Sequence, residues 1–135
     1  MTRRPDCKVI LVNWWEQIQP ADIGRIFGGQ FPGWEAEHAG VAETSLMEAL
    51  RPDLVRVPLK GQGGTPRLAA YDIFPPPRDV IPPNGVPGRS DPASPEIGRY
   101  LADTLARRIG DILDREWPPA AATAAAAARE APGDG

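Results

Sequence analysis

An unbroken apolar run near the start of the chain limits the fold more than any other feature. Residues 8–13 read Lys-Val-Ile-Leu-Val-Asn, a pattern typical of a strand buried on both faces of a parallel sheet. Such a strand needs neighbours on both sides, and little sequence precedes it. A second short strand is predicted at residues 54–57, where apolar and polar side chains alternate. The pattern therefore predicts an α/β protein whose sheet is completed from elsewhere.

Helix signals follow these strands along the chain. Residues 20–27 begin with a proline and are followed by Gly28 and Gly29, which end helices. A second helix is predicted up to Leu50, with apolar residues at a spacing of four. The third is the clearest, because Ser94 is a cap and Pro95 suits the first helical position. Its apolar face contains Ile97, Leu101, Leu105, Ile109, Ile112 and Leu113.

Two segments have compositions that disfavour regular structure. Residues 58–95 are rich in proline and glycine, so they form either a long packed arm or a linker. Residues 120–135 are a low-complexity, alanine-rich tail, predicted to be disordered apart from transient helix at residues 124–130. Residues 1–119 are therefore expected to form the folded portion.

Charge and cysteine content exclude several functional classes. The net charge is −3 and the pI is near 5.1, so we expect no nucleic-acid partner and no anionic membrane partner. No apolar run approaches the roughly 20 residues that a membrane span needs. A single cysteine, Cys7, allows neither an internal disulfide nor a cysteine-based zinc site. We expect a cytoplasmic protein.

The candidate chemistry is concentrated directly before the second helix. Trp34, Glu35, Glu37 and His38, the only histidine, lie within five residues. The free N–H groups of a helix start form a positive pole, which stabilises a carboxylate and disfavours a charged imidazole. A Glu-His pair there is suited to proton transfer. The alternative is structural, because polar residues at a helix start are usually caps.

The same segment resembles a known family. Residues 34–47 read Trp-Glu-Ala-Glu-His-Ala-Gly-Val-Ala-Glu-Thr-Ser-Leu-Met, and residues 51–55 read Arg-Pro-Asp-Leu-Val. This run is similar to the creatininase (creatinine amidohydrolase) family, which carries a His-Gly/Ala-Gly-x-x-Glu-Thr-Ser-Leu-Met run after a glutamate. The resemblance implies a three-layer α/β/α sandwich with a mainly parallel sheet.

The resemblance covers residues 8–119 and only the carboxyl-terminal half of the family's domain. A truncated gene, a misplaced start codon, or a half-domain completed by another polypeptide would explain that extent. Residues 71–75, Tyr-Asp-Ile-Phe-Pro, resemble a family element, which favours a packed arm over a linker.

Tryptophans are the implied substrate contacts. Paired aromatic residues are more often core than ligand contacts, but Trp14-Trp15 resembles an aromatic-Trp pair of the family. Trp15 then matches the residue that closes over substrate, with Trp14 as the alternative. Trp34 matches the residue that packs on the substrate ring, and Glu35 is placed among the substrate contacts.

The resemblance also implies a chemistry. The family holds two divalent metals, zinc or manganese, through Glu, His and Asp ligands of its amino-terminal half, and these generate the attacking hydroxide. His38 matches the acid/base position rather than a metal ligand, and Glu37 would orient it or bind the substrate's amino group. The chain has no His-x-Glu or His-x-His motif, so we expect no metal site in this chain alone.

Creatinine, a flat cyclic amide hydrolysed to creatine, is the leading substrate. Relatives acting on formamides or peptide precursors are the nearest alternative, because Ala39 after His38 is common among them. The second hypothesis is an inactive fragment or interaction module. In either case we expect a homo-oligomer or a complementing amino-terminal half as partner.

Overall fold

Three helices dominate the architecture. The computed structural model describes residues 8–61, 71, 73–75 and 82–118. The helices are α1 (Pro20–Phe27), α2 (Val41–Leu50) and α3 (Pro95–Glu116). Short 3₁₀ turns occupy Trp14–Gln17, Trp34–Ala36, Pro52–Leu54 and Val57–Leu59. The three helices predicted from the sequence are thus confirmed.

Local signals explain where these helices begin and end. Asp22 accepts a hydrogen bond from the Gln19 N–H at 2.8 Å, which completes a capping box at the start of α1. Gly28 ends α1 in the left-handed conformation, with φ of 56°. The Ser94 hydroxyl accepts from the Ile97 N–H at 3.3 Å and caps α3, as predicted.

The core lies between α2 and α3, which approach each other closely at Gly98. A Cβ there would lie 2.6 Å from the Ser45 carbonyl carbon and 2.7 Å from the Ala49 Cβ, so only glycine permits this spacing. Leu101 of α3 is fully buried, and Ile26 of α1 is 2 % exposed. Together these side chains join all three helices around one apolar centre.

A buried ion pair ties α1 to α3. Arg108 donates to Asp22 at 2.6 Å, and the Tyr100 hydroxyl donates to the other oxygen of the same carboxylate. Arg108 also donates to the Gln17 carbonyl, at the end of the first 3₁₀ turn. One guanidinium therefore fixes both α1 and the turn that carries Trp14 and Trp15.

The prediction of a strand at residues 54–57 is wrong. Leu54 ends one 3₁₀ turn and Val57 begins the next. Each turn has a proline near its start, Pro52 and Pro58, whose fixed φ favours tight turns and whose missing N–H weakens a ladder.

The predicted strand at residues 8–13 is not formed either. No strand occurs anywhere within residues 8–61 or 82–118, and a ladder requires a neighbouring strand. The side of this segment that a sheet would bury is open, with Val9 84 % and Leu11 88 % exposed. Its start is held instead by Lys8, which binds the Glu116 carboxylate and carbonyl at the end of α3.

Several predictions concern residues that lie outside the described ranges. These include the tail at 120–135 and most of the proline-rich arm. In the described part of the arm, Tyr71 is 70 % and Phe74 is 96 % exposed, so these rings do not show the predicted packing. Among the described helices, none is both long and apolar enough to cross a bilayer.

Candidate active site

A cavity of about 350 Å³ opens between the first 3₁₀ turn and the start of α2. It is lined by Trp14, Trp15, Trp34, Glu35, Glu37, His38 and Glu43. Each residue singled out from the sequence as catalytic or substrate-binding therefore lines this one cavity. Cavities of this size hold small organic ligands.

The aromatic wall is built by edge-to-face packing. The Trp14 ring lies 6.0 Å from Trp15 and 5.9 Å from Trp34, both nearly perpendicular to it. Phe27 and Phe31 pack behind Trp34, at 6.0 and 5.0 Å between ring centroids. This geometry is the favoured one for aromatic pairs, so Trp34 is held firmly from behind.

The two adjacent tryptophans have different surroundings. Trp14 is half-buried in the aromatic cluster, whereas Trp15 is 40 % exposed at the cavity edge. A residue that closes over a ligand needs such an exposed position. Trp15 therefore has the exposure that this role requires, and its role as the closing residue stays a prediction.

Glu37 is the buried acid of the cavity. It is 6 % exposed, and its Oε1 accepts from the Ala42 N–H at 2.6 Å and the Glu43 N–H at 3.4 Å. The carboxylate thus caps α2, at the helix start where the sequence placed it. Gly40 makes room for it, since a Cβ there would lie 2.8 Å from the Glu37 carboxyl carbon.

Burial raises the pKa of Glu37, and the negative charge of Glu43 adds to the rise. The hydrogen bonds from the Ala42 and Glu43 N–H groups act in the opposite direction and offset it only in part. The cavity therefore contains a carboxyl group that holds a proton more readily than an ordinary glutamate.

His38 lies at the mouth of the cavity and faces a different carboxylate from the one predicted. Its side chain is 76 % exposed, and its Nδ1 lies 3.9 Å from Glu43 Oε2. Among the described residues, no ion pair joins His38 to Glu37. Glu43 was missed as a site residue, although its place in the first turn of α2, five residues after His38, was a usable signal.

The loop between His38 and α2 has an unusual backbone. Ala39 has φ of 49°, a left-handed conformation uncommon for residues other than glycine. Its N–H donates to Glu43 Oε2 at 2.7 Å, and its carbonyl accepts from the Thr44 hydroxyl at 3.0 Å. Two side chains of the first turn of α2 therefore stabilise this conformation.

The residues of the cavity do not fit a metal ion. Within the described ranges, no three or more His, Cys, Asp or Glu side chains converge as metal ligands would. One oxygen of Glu37 is already engaged by the N–H groups of α2. A divalent ion would need donors from other parts of a larger structure.

Comparison with known proteins identifies the family. The sequence model of the creatininase family, described as creatinine amidohydrolase, matches residues 4–113. This chain belongs to the creatininase family. The creatinine amidohydrolase of Pseudomonas putida is 35 % identical over 115 residues, which are 84 % of this chain and 44 % of that protein. The chain thus spans less than half the length of this curated relative.

Solved structures give the same result. A mutant creatininase complexed with creatine matches with a TM-score of 0.75 and 34 % identity, over 83 % of this chain and 44 % of that one. A mutant of Zn-Zn type matches with a TM-score of 0.75 and 35 % identity, over the same shares. A manganese form matches equally well.

These matches confirm the family recognised from the Glu-His-x-Gly-Val-x-Glu-Thr-Ser run. They support the α/β class, and creatininases are known in zinc and manganese forms. The layers and the parallel sheet remain predictions, because the described residues contain no strand.

Proposed function

We propose that this chain supplies the acid/base and substrate-stacking side of a creatininase-type active site. The reaction is hydrolysis of a cyclic amide, with creatinine converted to creatine. One observation carries the proposal: a single cavity is lined by His38, Glu37, Trp15 and Trp34. The matched segment would be the carboxyl-terminal half of a three-layer α/β/α domain.

Substrate binding follows from the aromatic wall and its carboxylates. A flat heterocycle stacks favourably on indole faces, and Trp34 is supported from behind by Phe27 and Phe31. A weakly cationic ring gains further from cation–π attraction. Glu35 and Glu37 accept hydrogen bonds from the substrate's amino group, which orients the ring.

Proton transfer is assigned to His38. His38 takes a proton from water as the water oxygen adds to the ring carbonyl carbon. The ring C–N bond then breaks, and His38 delivers that proton to the leaving nitrogen. The exposed position of His38 lets it reach both the ligand and solvent. Zinc or manganese, as in the family, does not fit the donors of the described residues.

Complementation tests this proposal. The chain is co-expressed with the part of the Pseudomonas putida enzyme that it does not match, and creatinine hydrolysis is measured. Replacing His38 by Ala should lower kcat about a hundred- to ten-thousand-fold with unchanged folding and metal content. Trp34→Ala should mainly weaken substrate binding, by roughly 1 kcal/mol. Full activity of the His38→Ala protein would contradict the proposal.

Metal content tests the assignment of ligands. Purified chain washed with chelator should retain no stoichiometric zinc or manganese, because it lacks three or four converging donors in its described part. About one tightly held ion per chain would overturn this expectation. Loss of metal from the complemented enzyme on His38→Ala substitution would show that His38 is a ligand.

An interaction module is the second candidate function. The exposed apolar side chains of Val9 and Leu11 favour it, since exposed apolar surface is typical of protein–protein contacts. A second copy of the chain, or a complementing amino-terminal half, would cover this segment. Sedimentation of the wild type and of a Leu11→Lys variant distinguishes the cases. A monomer with sharp two-state unfolding in both would exclude the module.

A further inference from the structure

We infer that Glu43 is the positioning residue of His38. Its carboxylate faces the Nδ1 side of the imidazole at 3.9 Å, so that Nε2 is the atom that exchanges a proton with the ligand. The inference rests on the proposed function and deepens it, because it names the reacting nitrogen and the residue that selects it.

A single oxygen of Glu43 makes both contacts. Oε2 accepts from the Ala39 N–H at 2.7 Å and lies 3.9 Å from His38 Nδ1. Glu43 itself is placed by the first turn of α2, whose free N–H groups are capped by Glu37. The carboxylate therefore has a fixed origin in the helix rather than in the loop.

The backbone beside His38 is held from two sides. Glu43 binds the N–H of Ala39, and the Thr44 hydroxyl donates to its carbonyl at 3.0 Å. These contacts stabilise the left-handed conformation of Ala39, which costs free energy for an L-residue. The direction in which the His38 side chain leaves the loop follows from this clamp.

Tautomer choice is the chemical consequence. Neutral imidazole carries one N–H, and an acceptor beside one ring nitrogen favours the proton on that nitrogen. A carboxylate beside Nδ1 favours the proton there and leaves the lone pair on Nε2. The carboxylates of Glu35 and Glu37 line the same cavity, so the position of Glu43, not negative charge alone, makes the selection.

The imidazole tautomer can be measured directly, because His38 is the only histidine of the chain. Its ¹⁵N chemical shifts report which ring nitrogen carries the proton in the neutral imidazole. We expect the Nδ1–H form to predominate in the wild type. A predominant Nε2–H form would overturn the inference without any substitution.

Two substitutions sharpen this experiment. Glu43→Gln should shift the tautomer ratio towards Nε2–H by about fivefold or more, because a charged acceptor is lost. Glu35→Gln is the matched control, since it removes the same charge from the same cavity, and it should leave the ratio unchanged. Equal shifts in the two variants would show a general charge effect and refute positioning by Glu43.

A milder variant guards against unfolding. Glu43→Asp keeps the charge but withdraws the carboxylate by one methylene, so an intermediate ratio is expected; a wild-type ratio would contradict the inference. The tautomer is read without substrate. If the Nδ1–H form predominates but the complemented enzyme does not hydrolyse creatinine, only the proposed function is refuted. If creatinine is hydrolysed while the Nε2–H form predominates, only the role of Glu43 is refuted.

Discussion

Asp22 and Glu37 are both buried carboxylates at helix starts, yet their surroundings shift their pKa values in opposite directions. Asp22 is 4 % and Glu37 is 6 % exposed. Burial tends to raise the pKa of Asp22 as well, but hydrogen bonds from Arg108, Tyr100 and the Gln19 N–H lower it to about 2. Burial raises the pKa of Glu37, the charge of Glu43 adds to the rise, and hydrogen bonds from backbone N–H groups offset it only in part.

The two carboxylates differ because Asp22 has a cationic partner, whereas the groups that act on Glu37 are backbone N–H donors and the carboxylate of Glu43. The Asp22 carboxylate is paired with a cation and ties α1 to α3, which is a stabilising arrangement when ionised. Glu37 faces a cavity, and burial disfavours its charged form. Titratable groups that face a cavity and have shifted pKa values are concentrated at functional sites.

The largest expected effect comes from breaking the Asp22 pair. Arg108→Met should lower the free energy of unfolding by about 3 kcal/mol, because it leaves a buried carboxylate without its cation. Urea unfolding measures this. Arg99→Met is the control, since its pair with Glu96 is exposed and should be worth less than about 1 kcal/mol. Adding Asp22→Asn to Arg108→Met should recover part of the loss.

Acid should act on Asp22 with a definite sign. Its folded-state pKa, about 2, lies below the ordinary value of 3.8, so the ionised pair stabilises the fold above pH 4. That stabilisation, about 2 kcal/mol, is lost as the pH falls towards 2. The difference in unfolding free energy between the wild type and Asp22→Asn should shrink over this range. A difference independent of pH would contradict the assignment.

The close approach of Gly40 to the Glu37 carboxylate can be tested by adding one methyl group at Gly40. Gly40→Ala should cost about 1–2 kcal/mol, because its Cβ displaces the Glu37 carboxylate from the N–H groups of α2. Gly24→Ala is the control; no atom lies within 4 Å of its Cβ, and it should stabilise α1 by about 0.5–1 kcal/mol. If the cost of Gly40→Ala persists in a Glu37→Ala background, this explanation fails.

The smallest effect is expected from Glu37→Gln. The amide oxygen still accepts from the Ala42 N–H, while the buried charge disappears. The folded-state pKa of Glu37 is raised above its ordinary value of 4.5. The wild type therefore loses stability as the pH rises from 4.5 through the folded-state pKa. The variant should therefore be more stable near neutral pH, by about 1 kcal/mol or less, and similar in acid. Thermal unfolding at both pH values checks this, and a destabilised variant at neutral pH would contradict it.

Local signals predicted the helices well. Gly28, Ser94 and Pro95 act through their own backbone conformations and caps, so their effect could be read without tertiary context. The strand at residues 54–57 failed because alternation of side chains was weighed above Pro52 and Pro58, which favour tight turns.

The sequence singled out residues that line one cavity, but not the contacts that they make. The tryptophans, Glu37 and His38 were found from the motif, and they line one cavity. The contact of His38 with Glu43 instead of Glu37 depends on the left-handed Ala39, which sequence alone does not signal. Likewise, nothing near Asp22 in the sequence indicates its ion pair with Arg108, which lies 86 residues away.

The close approach of α2 and α3 at Gly98 also limits how these two helices can move past each other. Helices that touch through side chains slide past each other by small rotamer adjustments. At Gly98 the backbone of Ser45 lies directly against α3, so sliding of α2 along α3 would drive the carbonyl into the neighbouring turn. The contact therefore opposes sliding of α2 along α3 at Ser45.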